Sequence, residues 1–386
     1  MNSSLLPSHT YYVRSACSSL RVQLHILCGF VLGFLMALCT LLLYNRYQLE
    51  TAAQRQHITA TDNWQTGYMV ALQEVATEAD TLQQQLSKEV RVLCMVLTSP
   101  EQHASHAQHV KATWGKRCTR MIFISSEVDE ELGAVAVVAR EADTYDELWN
   151  KTREGFRYVY ERYYDEYDWF VKADDDTYMV MENLRYMLYA YYPQTPIYFG
   201  YQLVRYGVPY MSGGAAYVLS KEALRRFMTT AFYNTSICPR AQKFGIEDFY
   251  MGICLQNVGV RLADARFALS TDNKPKFMPL DLNTYMNTDN ATEISEWLLT
   301  MTPHTVESGL NCCSNYSIAF HYTNPWRMYL YEYFIYHLRA FGVPQRAMSL
   351  PSKLTLEEVT RLFPSNYSAD SKPIVDLAAQ NLPDNF

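Results

Sequence analysis

Residues 24–44 read LHILCGFVLGFLMALCTLLLY, 21 residues without Asp, Glu, Lys or Arg, and a helix of that length crosses the hydrocarbon core of a bilayer. No other feature restricts the folding of the chain as much. A cleaved secretory signal has a shorter apolar core followed by a small-residue cleavage site, and neither is evident here. Arg14 and Arg21 precede the run and no acidic residue occurs before Glu50, so residues 1–23 are expected to stay cytoplasmic. The expectation is a single-pass type II membrane protein with 24–44 as signal-anchor and the bulk of the chain lumenal or extracellular.

That topology decides how the later cysteines and asparagines are read. Cys17, Cys28 and Cys39 lie before or inside the run, which leaves Cys94, Cys118, Cys238, Cys254, Cys312 and Cys313 on the lumenal side. An even set in an oxidising compartment suggests disulfides. Zinc is the competing use, but no CxxC pair is present. Asn150, Asn234, Asn290, Asn315 and Asn366 each open an N-x-S/T sequon, in agreement with lumenal exposure. The formal charge of -7 argues against a nucleic-acid partner. The 31 tyrosines suit either sugar contacts or an aromatic-rich core, and the core reading is preferred for most of them.

Residues 45–89 read as a stem. Its first part is polar and aperiodic; then Tyr68, Leu72, Val75, Ala79, Leu82 and Leu86 recur at heptad spacing, a seam that would pair two chains or pack against its own domain. A globular domain over 90–342 follows. Apolar, β-prone runs at 90–97, 121–125, 169–173 and 197–200 alternate with helical stretches at 106–114, 145–164 and 181–192, the pattern of an α/β domain. Ser220 is placed to cap a helix over 221–227. Beyond Met278 the chain reads as irregular until 318–322. Residues 343–386, with Pro344, Pro351, Pro364, Pro373 and Pro383, read as a loosely ordered tail.

The strand at 169–173 ends in Asp174-Asp175-Asp176. Open α/β sheets bind ligands beyond the C-terminal ends of their strands, and three adjacent carboxylates repel one another unless they stay in water or meet a hard cation. A solvated acidic turn is the alternative reading. Glu247-Asp248 at a loop–helix junction and His321 between Phe320 and Tyr322 complete a constellation suited to a metal-dependent transferase with a diphosphate-activated donor. The cation neutralises charge on the leaving diphosphate while a carboxylate takes a proton from the acceptor hydroxyl. Taken singly, His321 also fits a core histidine and Asp248 a helix cap. Two carboxylates also permit hydrolase chemistry. Trp114 and Trp149 read as core.

Thr113-Trp-Gly-Lys-Arg-Cys118, Leu148-Trp-Asn-Lys-Thr152, Trp169-Phe-Val-Lys-Ala-Asp-Asp-Asp-Thr-Tyr178, Tyr198-Phe-Gly200, Tyr210-Met-Ser-Gly-Gly-Ala215 with Tyr217-Val-Leu-Ser220, Glu247-Asp248 and Phe320-His-Tyr322 together resemble the core 1 synthase family. These are glycoprotein-N-acetylgalactosamine 3-beta-galactosyltransferases of the beta-1,3-glycosyltransferase superfamily, with a GT-A fold: a Rossmann-like mixed α/β sheet flanked by helices. The resemblance spans roughly residues 90–342. It implies a Golgi enzyme that transfers galactose from UDP-galactose, with inversion, to the 3-hydroxyl of GalNAc on Ser or Thr of glycoproteins.

By the same resemblance Asp174, Asp176 and His321 would hold Mn2+, with Asp175 behind them. Asp248 would be the general base and Glu247 the competing assignment. Thr98, Pro100 and Lys151 would line the nucleotide pocket, and Gly213 with Gly214 the donor-sugar wall. The implied disulfides are Cys94–Cys118, Cys238–Cys254 and Cys312–Cys313. Residues 296–304 depart from the family pattern, with Trp297 as their single aromatic; Ala216 replaces a glycine; and 201–208 retain Arg205 as their one basic residue. The resemblance therefore speaks for the donor side. A transferase with a different acceptor, and a non-catalytic chaperone or glycan-binding paralogue, stand as alternatives.

Overall fold

The computed structural model describes residues 25, 27, 29, 32–33, 35–48, 78–240, 246–269, 272–287, 294–339, 349–365 and 373–374. Two compact units emerge, Met1–Thr77 and Glu78–Phe386. In the first, residues 35–48 are helical and exposed. The apolar run 24–44 is described only in part, and among the described residues no helix is long and apolar enough to cross a membrane.

The second unit carries the strands Val92–Leu97 (β1), Arg120–Ser125 (β2), Ala134–Ala136 (β3), Trp169–Asp174 (β4), Tyr178–Met179 (β5), Ile197–Gly200 (β6), Gln202–Arg205 (β7), Val208–Met211 (β8), Tyr217–Ser220 (β9), Arg261–Asp264 (β10), Phe277–Met278 (β11) and Ala319–Phe320 (β12). A central sheet runs in the order β10-β6-β9-β4-β1-β2-β3. It is mixed: β9 lies antiparallel to β4 and β6, while β4, β1, β2 and β3 are mutually parallel and β10 runs parallel to β6. Every residue of β1 is buried, as a strand covered on both faces requires. Helices supply that cover. Leu148–Tyr163 packs against β1, β2 and the helix Glu247–Gln256, and Glu78–Glu89 packs on Met181–Tyr189. Trp114 and Trp149 are fully buried.

Outside the main sheet, β12 lies between β11 and β5 in a three-stranded sheet, and β7 with β8 forms a hairpin. The smaller sheet positions the site. Its Phe320↔Tyr178 and Ala319↔Met179 pairs bring the chain after residue 320 alongside the turn that follows β4.

Several sequence expectations are altered by local chemistry. The single helix expected over 106–114 is broken into short turns, and the α-helical part, Gln108–Ala112, stops at Thr113, whose hydroxyl donates back to the His109 carbonyl at 2.6 Å. The stretch read as irregular beyond Met278 contains the short helices Leu282–Met286 and Glu296–Met301. The loosely ordered tail contains the helix Leu356–Leu362, opened by a full Thr355–Glu358 capping box. Val359 and Phe363 are buried, with Phe363 edge-on to Phe199 at 6.3 Å. Prolines flank this segment rather than interrupt it. Ser220 caps the helix Lys221–Arg226 through the Ala223 amide.

Of the heptad residues, Leu86 is buried within its own domain and Gln83 on the same helix donates to Glu182. Tyr68, Leu72 and Val75 lie outside the described residues. Cys94–Cys118, Cys238–Cys254 and Cys312–Cys313 are all bonded. Asn234 and Asn315 are exposed. Asn150 is half-buried on the helix Leu148–Tyr163, with Thr152 of its sequon fully buried. Asn290 and Asn366 lie outside the described residues.

Candidate active site

β4 delivers the Asp triplet at its C-terminal end, and the turn beyond it is held from three sides. The Thr177 amide donates to the Asp174 carbonyl at 3.1 Å, the Trp114 indole to the Thr177 carbonyl at 2.8 Å, and the Thr177 hydroxyl to the Gly214 carbonyl at 2.8 Å. His321 arrives from β12. Its Nδ1 lies 3.1 Å from the Pro279 carbonyl, which can only accept, so Nδ1 carries a proton; burial opposes a second proton on the ring, but the hydrogen bond and charge of Asp176 raise the imidazole above its ordinary value. Its Nε2 is 3.3 Å from Oδ1 of Asp176, and Asp174, Asp176 and His321 each offer a ligand atom within 4.8 Å of the others. In the metal-free chain the imidazole proton meets the Asp176 carboxylate, and a divalent cation that displaces it would take over as counter-charge to the two aspartates.

Asp175 turns away from this cluster, accepting from the Thr98 hydroxyl at 2.6 Å. Burial pushes its carboxyl up to about 7, against the Thr98 hydrogen bond and with the help of Asp176 and Asp174. Asp176 moves the other way. Burial would raise it, but the hydrogen bond and charge of His321 hold it below the usual carboxylate range.

The Glu-Asp pair begins the helix Glu247–Gln256, whose N-cap is Ile246, so Asp248 is not the cap. It instead accepts from the Gly213 amide and from the Phe249 amide, each at 2.8 Å. Glu247 is buried at 2% exposure and engaged twice, by the Lys172 ammonium at 2.7 Å and the Tyr217 hydroxyl at 3.2 Å. Burial pushes its carboxyl up to about 7, with Lys172 opposing and Asp248 adding. Burial raises Asp248 as well. Lys172 also reaches Asp174 at 2.8 Å, which links the acidic triplet to the Glu-Asp pair.

Gly213 and Gly214 pack against these groups. A Cβ on Gly213 would fall 2.6 Å from Oε1 of Glu247, and one on Gly214 2.1 Å from Cε1 of His321. Lys172, the Asp triplet, Gly213, Gly214, Glu247, Asp248 and His321 line one cleft of about 820 Å³. Thr98 and Lys151 line it too, Lys151 paired with Asp143 and donating to the Thr98 carbonyl. Pro100 does not; it opens the short turn Pro100–Gln102 between the lining residues Ser99 and Gln102.

The chain is also similar to known proteins. Residues 87–287 match the family described as Fringe-like. The glycoprotein-N-acetylgalactosamine 3-beta-galactosyltransferase 1 of Xenopus laevis is 40% identical over 270 residues, 70% of this chain and 72% of that protein. The chain belongs to the Fringe-like family and, within it, groups with the glycoprotein-N-acetylgalactosamine 3-beta-galactosyltransferases. More distant similarity extends to a mouse beta-1,3-glucosyltransferase, 25% identical over 45% of the chain and 35% of that protein, and to human chondroitin sulfate synthase 3, 26% identical over 42% of the chain and 20% of that protein.

Among the lining residues of this galactosyltransferase-family site to which the sequence reading gave no role are Lys172, Tyr145, Arg205 and Tyr322. Lys172 left a signal, a lone charge inside an apolar strand, which is retained in a core only when paired. Tyr322 stacks on His321 at 3.8 Å with φ of 49°, a backbone state no sequence pattern announced. Trp297, from the departing segment, lines the same cleft.

Proposed function

We propose that the chain is an inverting galactosyltransferase of GT-A type that moves galactose from UDP-galactose to the 3-hydroxyl of GalNAc on Ser or Thr of glycoproteins. The observation that carries the reading is the meeting of Asp174, Asp176 and His321 with Asp248 in one cleft, in a chain related to an enzyme named for that transfer. One nitrogen and two carboxylates form a donor set suited to Mn2+. Bound there, the ion supplies positive charge to the phosphates of the departing UDP.

The chain's own residues divide the remaining work. Thr98 and Lys151 serve the nucleotide end, with Pro100 shaping the turn behind them and Asp175 anchored to Thr98. Gly213 and Gly214 allow the donor sugar to approach the backbone. Asp248 takes the proton from the acceptor hydroxyl as its oxygen attacks the anomeric carbon from the face opposite UDP, which gives inversion. Asp248 is preferred to Glu247 as base because it is the more exposed of the two, while Glu247 is engaged by Lys172 and Tyr217.

The same reading places the protein in the Golgi membrane as a type II single-pass protein. Leu27, Leu32, Leu35, Leu41, Leu42 and Leu43 of the anchor are exposed in the structure, as lipid-facing residues are. Among the described residues, exposed Asn234 and Asn315 are the sequons best placed for glycans. Pairing of two chains through the stem would rest on Tyr68, Leu72 and Val75, because Leu86 is buried within its own domain; a monomer in sedimentation of the full chain would remove it. The activity itself is tested by incubating the detergent-solubilised chain with UDP-galactose, Mn2+ and a GalNAc-peptide, beside Asp176→Ala. Transfer abolished by the substitution is expected; no transfer to any GalNAc acceptor by the folded wild-type protein sinks the reading.

A further inference from the structure

Two lysines and one arginine line the cleft, and both lysines are neutralised within it: Lys151 by Asp143, and Lys172 by Asp174 and Glu247. Arg205 forms no ion pair among the described residues. Its guanidinium lies 5.2 Å from the ring of Tyr206.

The fold holds that position firmly. β7 and β8 are joined by Tyr206 and Gly207, with φ of 51° and 74°, a two-residue turn whose twist matches that of the strands it connects. Leu203 and Arg205 share one face of β7, and Tyr210, the cross-strand partner of Leu203, extends it; all three line the cleft. Tyr210 is pressed onto the helix Glu247–Gln256 so closely that a Cβ on Gly252 would come within 2.5 Å of its own. Tyr206 and Tyr210 both lie edge-on to Phe249, at 6.2 and 5.4 Å, so the hairpin that carries Arg205 sits against the residue that follows Asp248. The same end is walled by Trp297 and Met301, the latter receiving the Tyr210 hydroxyl at 3.8 Å.

We infer that Arg205 binds a carboxylate carried by the acceptor next to the sugar that receives galactose, so that acidic acceptors are preferred. The inference rests on the reading that the cleft takes a GalNAc-bearing acceptor. An acidic group entering a cleft lined by Asp174, Asp175, Asp176, Glu247 and Asp248 is repelled unless a cation receives it, and a guanidinium receives a carboxylate through two parallel hydrogen bonds. The carboxylate has two sources, an Asp or Glu beside the glycosylated residue or a sialic acid on the 6-hydroxyl of the GalNAc.

The test is equilibrium binding to the full chain in the presence of UDP and Mn2+, using three labelled GalNAc-Thr peptides: Glu next to the sugar, Gln in its place, and the Gln peptide with 6-sialylated GalNAc. A carboxylate-bearing peptide is expected to bind about tenfold tighter than the Gln peptide, the effect of one charge-assisted hydrogen bond. That preference should vanish in Arg205→Ala and return in part in Arg205→Lys. Whether the Glu or the sialylated peptide gains identifies the source. Equal affinities in the wild-type protein overturn the inference without any variant, as does a preference that survives Arg205→Ala, or weakened UDP binding in that variant, which would put Arg205 at the donor. Galactose transfer to a simple GalNAc glycoside, measured in parallel, separates the two readings. Transfer without carboxylate preference sinks only this inference; carboxylate-dependent binding without transfer sinks only the activity.

Discussion

The Cβ that Gly214 lacks would lie 2.1 Å from Cε1 of His321. Gly214 does not need glycine for a left-handed backbone, since it is absent from the positive-φ residues; the requirement is space for the imidazole. Gly214→Ala is therefore expected to displace His321 and weaken Mn2+ binding by about 10–100-fold, the range for residues that orient a ligand. Calorimetric titration of the folded variant measures it, and wild-type affinity would show that His321 is not held from this side.

Asp248→Asn is expected to lower kcat by about two to four orders of magnitude, the range for loss of a general base, with little change in KM for UDP-galactose. Glu247→Gln should cost less, since its carboxyl faces Lys172 and Tyr217. Steady-state kinetics on both variants decides the assignment, and the opposite ranking would make Glu247 the base.

Removing the buried ammonium in Lys172→Met leaves Asp174 and Glu247 without their shared counter-charge. Loss of one member of a buried ion pair costs about 3–5 kcal/mol, which urea unfolding would read directly. Mn2+ should restore more stability to this variant than to the wild type, because a cation at Asp174 replaces part of the missing charge. Equal responses to the ion would contradict the link through Asp174.

The folded-state carboxyl of Glu247, pushed up to about 7 from an ordinary 4.5, binds its proton more tightly in the folded chain than in the unfolded one. Its contribution to stability is therefore fully present below about pH 4.5 and is lost as pH rises through about 7. Thermal unfolding of the metal-free protein should show a fall in melting temperature across that window, reduced in Glu247→Gln. A Glu247→Gln profile parallel to the wild type would refute the assignment.

Phe363→Ala tests the C-terminal segment. Phe363 packs on Phe199 of β6 and near Tyr191, and deleting a buried phenyl ring costs about 3–5 kcal/mol. Chemical denaturation should show that loss, and a neutral result would return the segment to the status of a loose tail.

What could be read without coordinates follows from how local each signal is. β6 and the run ending at Asp174 were legible because apolar, β-prone residues stop abruptly at polar ones, and Ser220 because a cap needs only its own helix. The helix Leu356–Leu362 was missed because the flanking prolines outweighed Thr355-x-x-Glu358, a motif whose hydrogen bonds are local but whose stability comes from Phe363 reaching β6. At the site, the residue types were visible but their division of labour was not. Glu247 and Asp248 are neighbours in the chain, and only the third dimension gives one to Lys172 and Tyr217 and the other to the Gly213 amide. Arg205 and Tyr322 acquire meaning from a hairpin face and a left-handed backbone, neither of which a periodicity reveals.

The small sheet that seats β12 against β5 makes the cation site a joint between distant parts of the chain. Two of its ligands emerge early in synthesis and the third late, and closing such a long loop precedes any gain from the contact it creates. An unfinished or C-terminally truncated chain that lacks β12 has the aspartates without the imidazole. On the proposed reading, affinity for the ion would then be a readout of completed folding, since capture of the cation needs both ends of that joint in place.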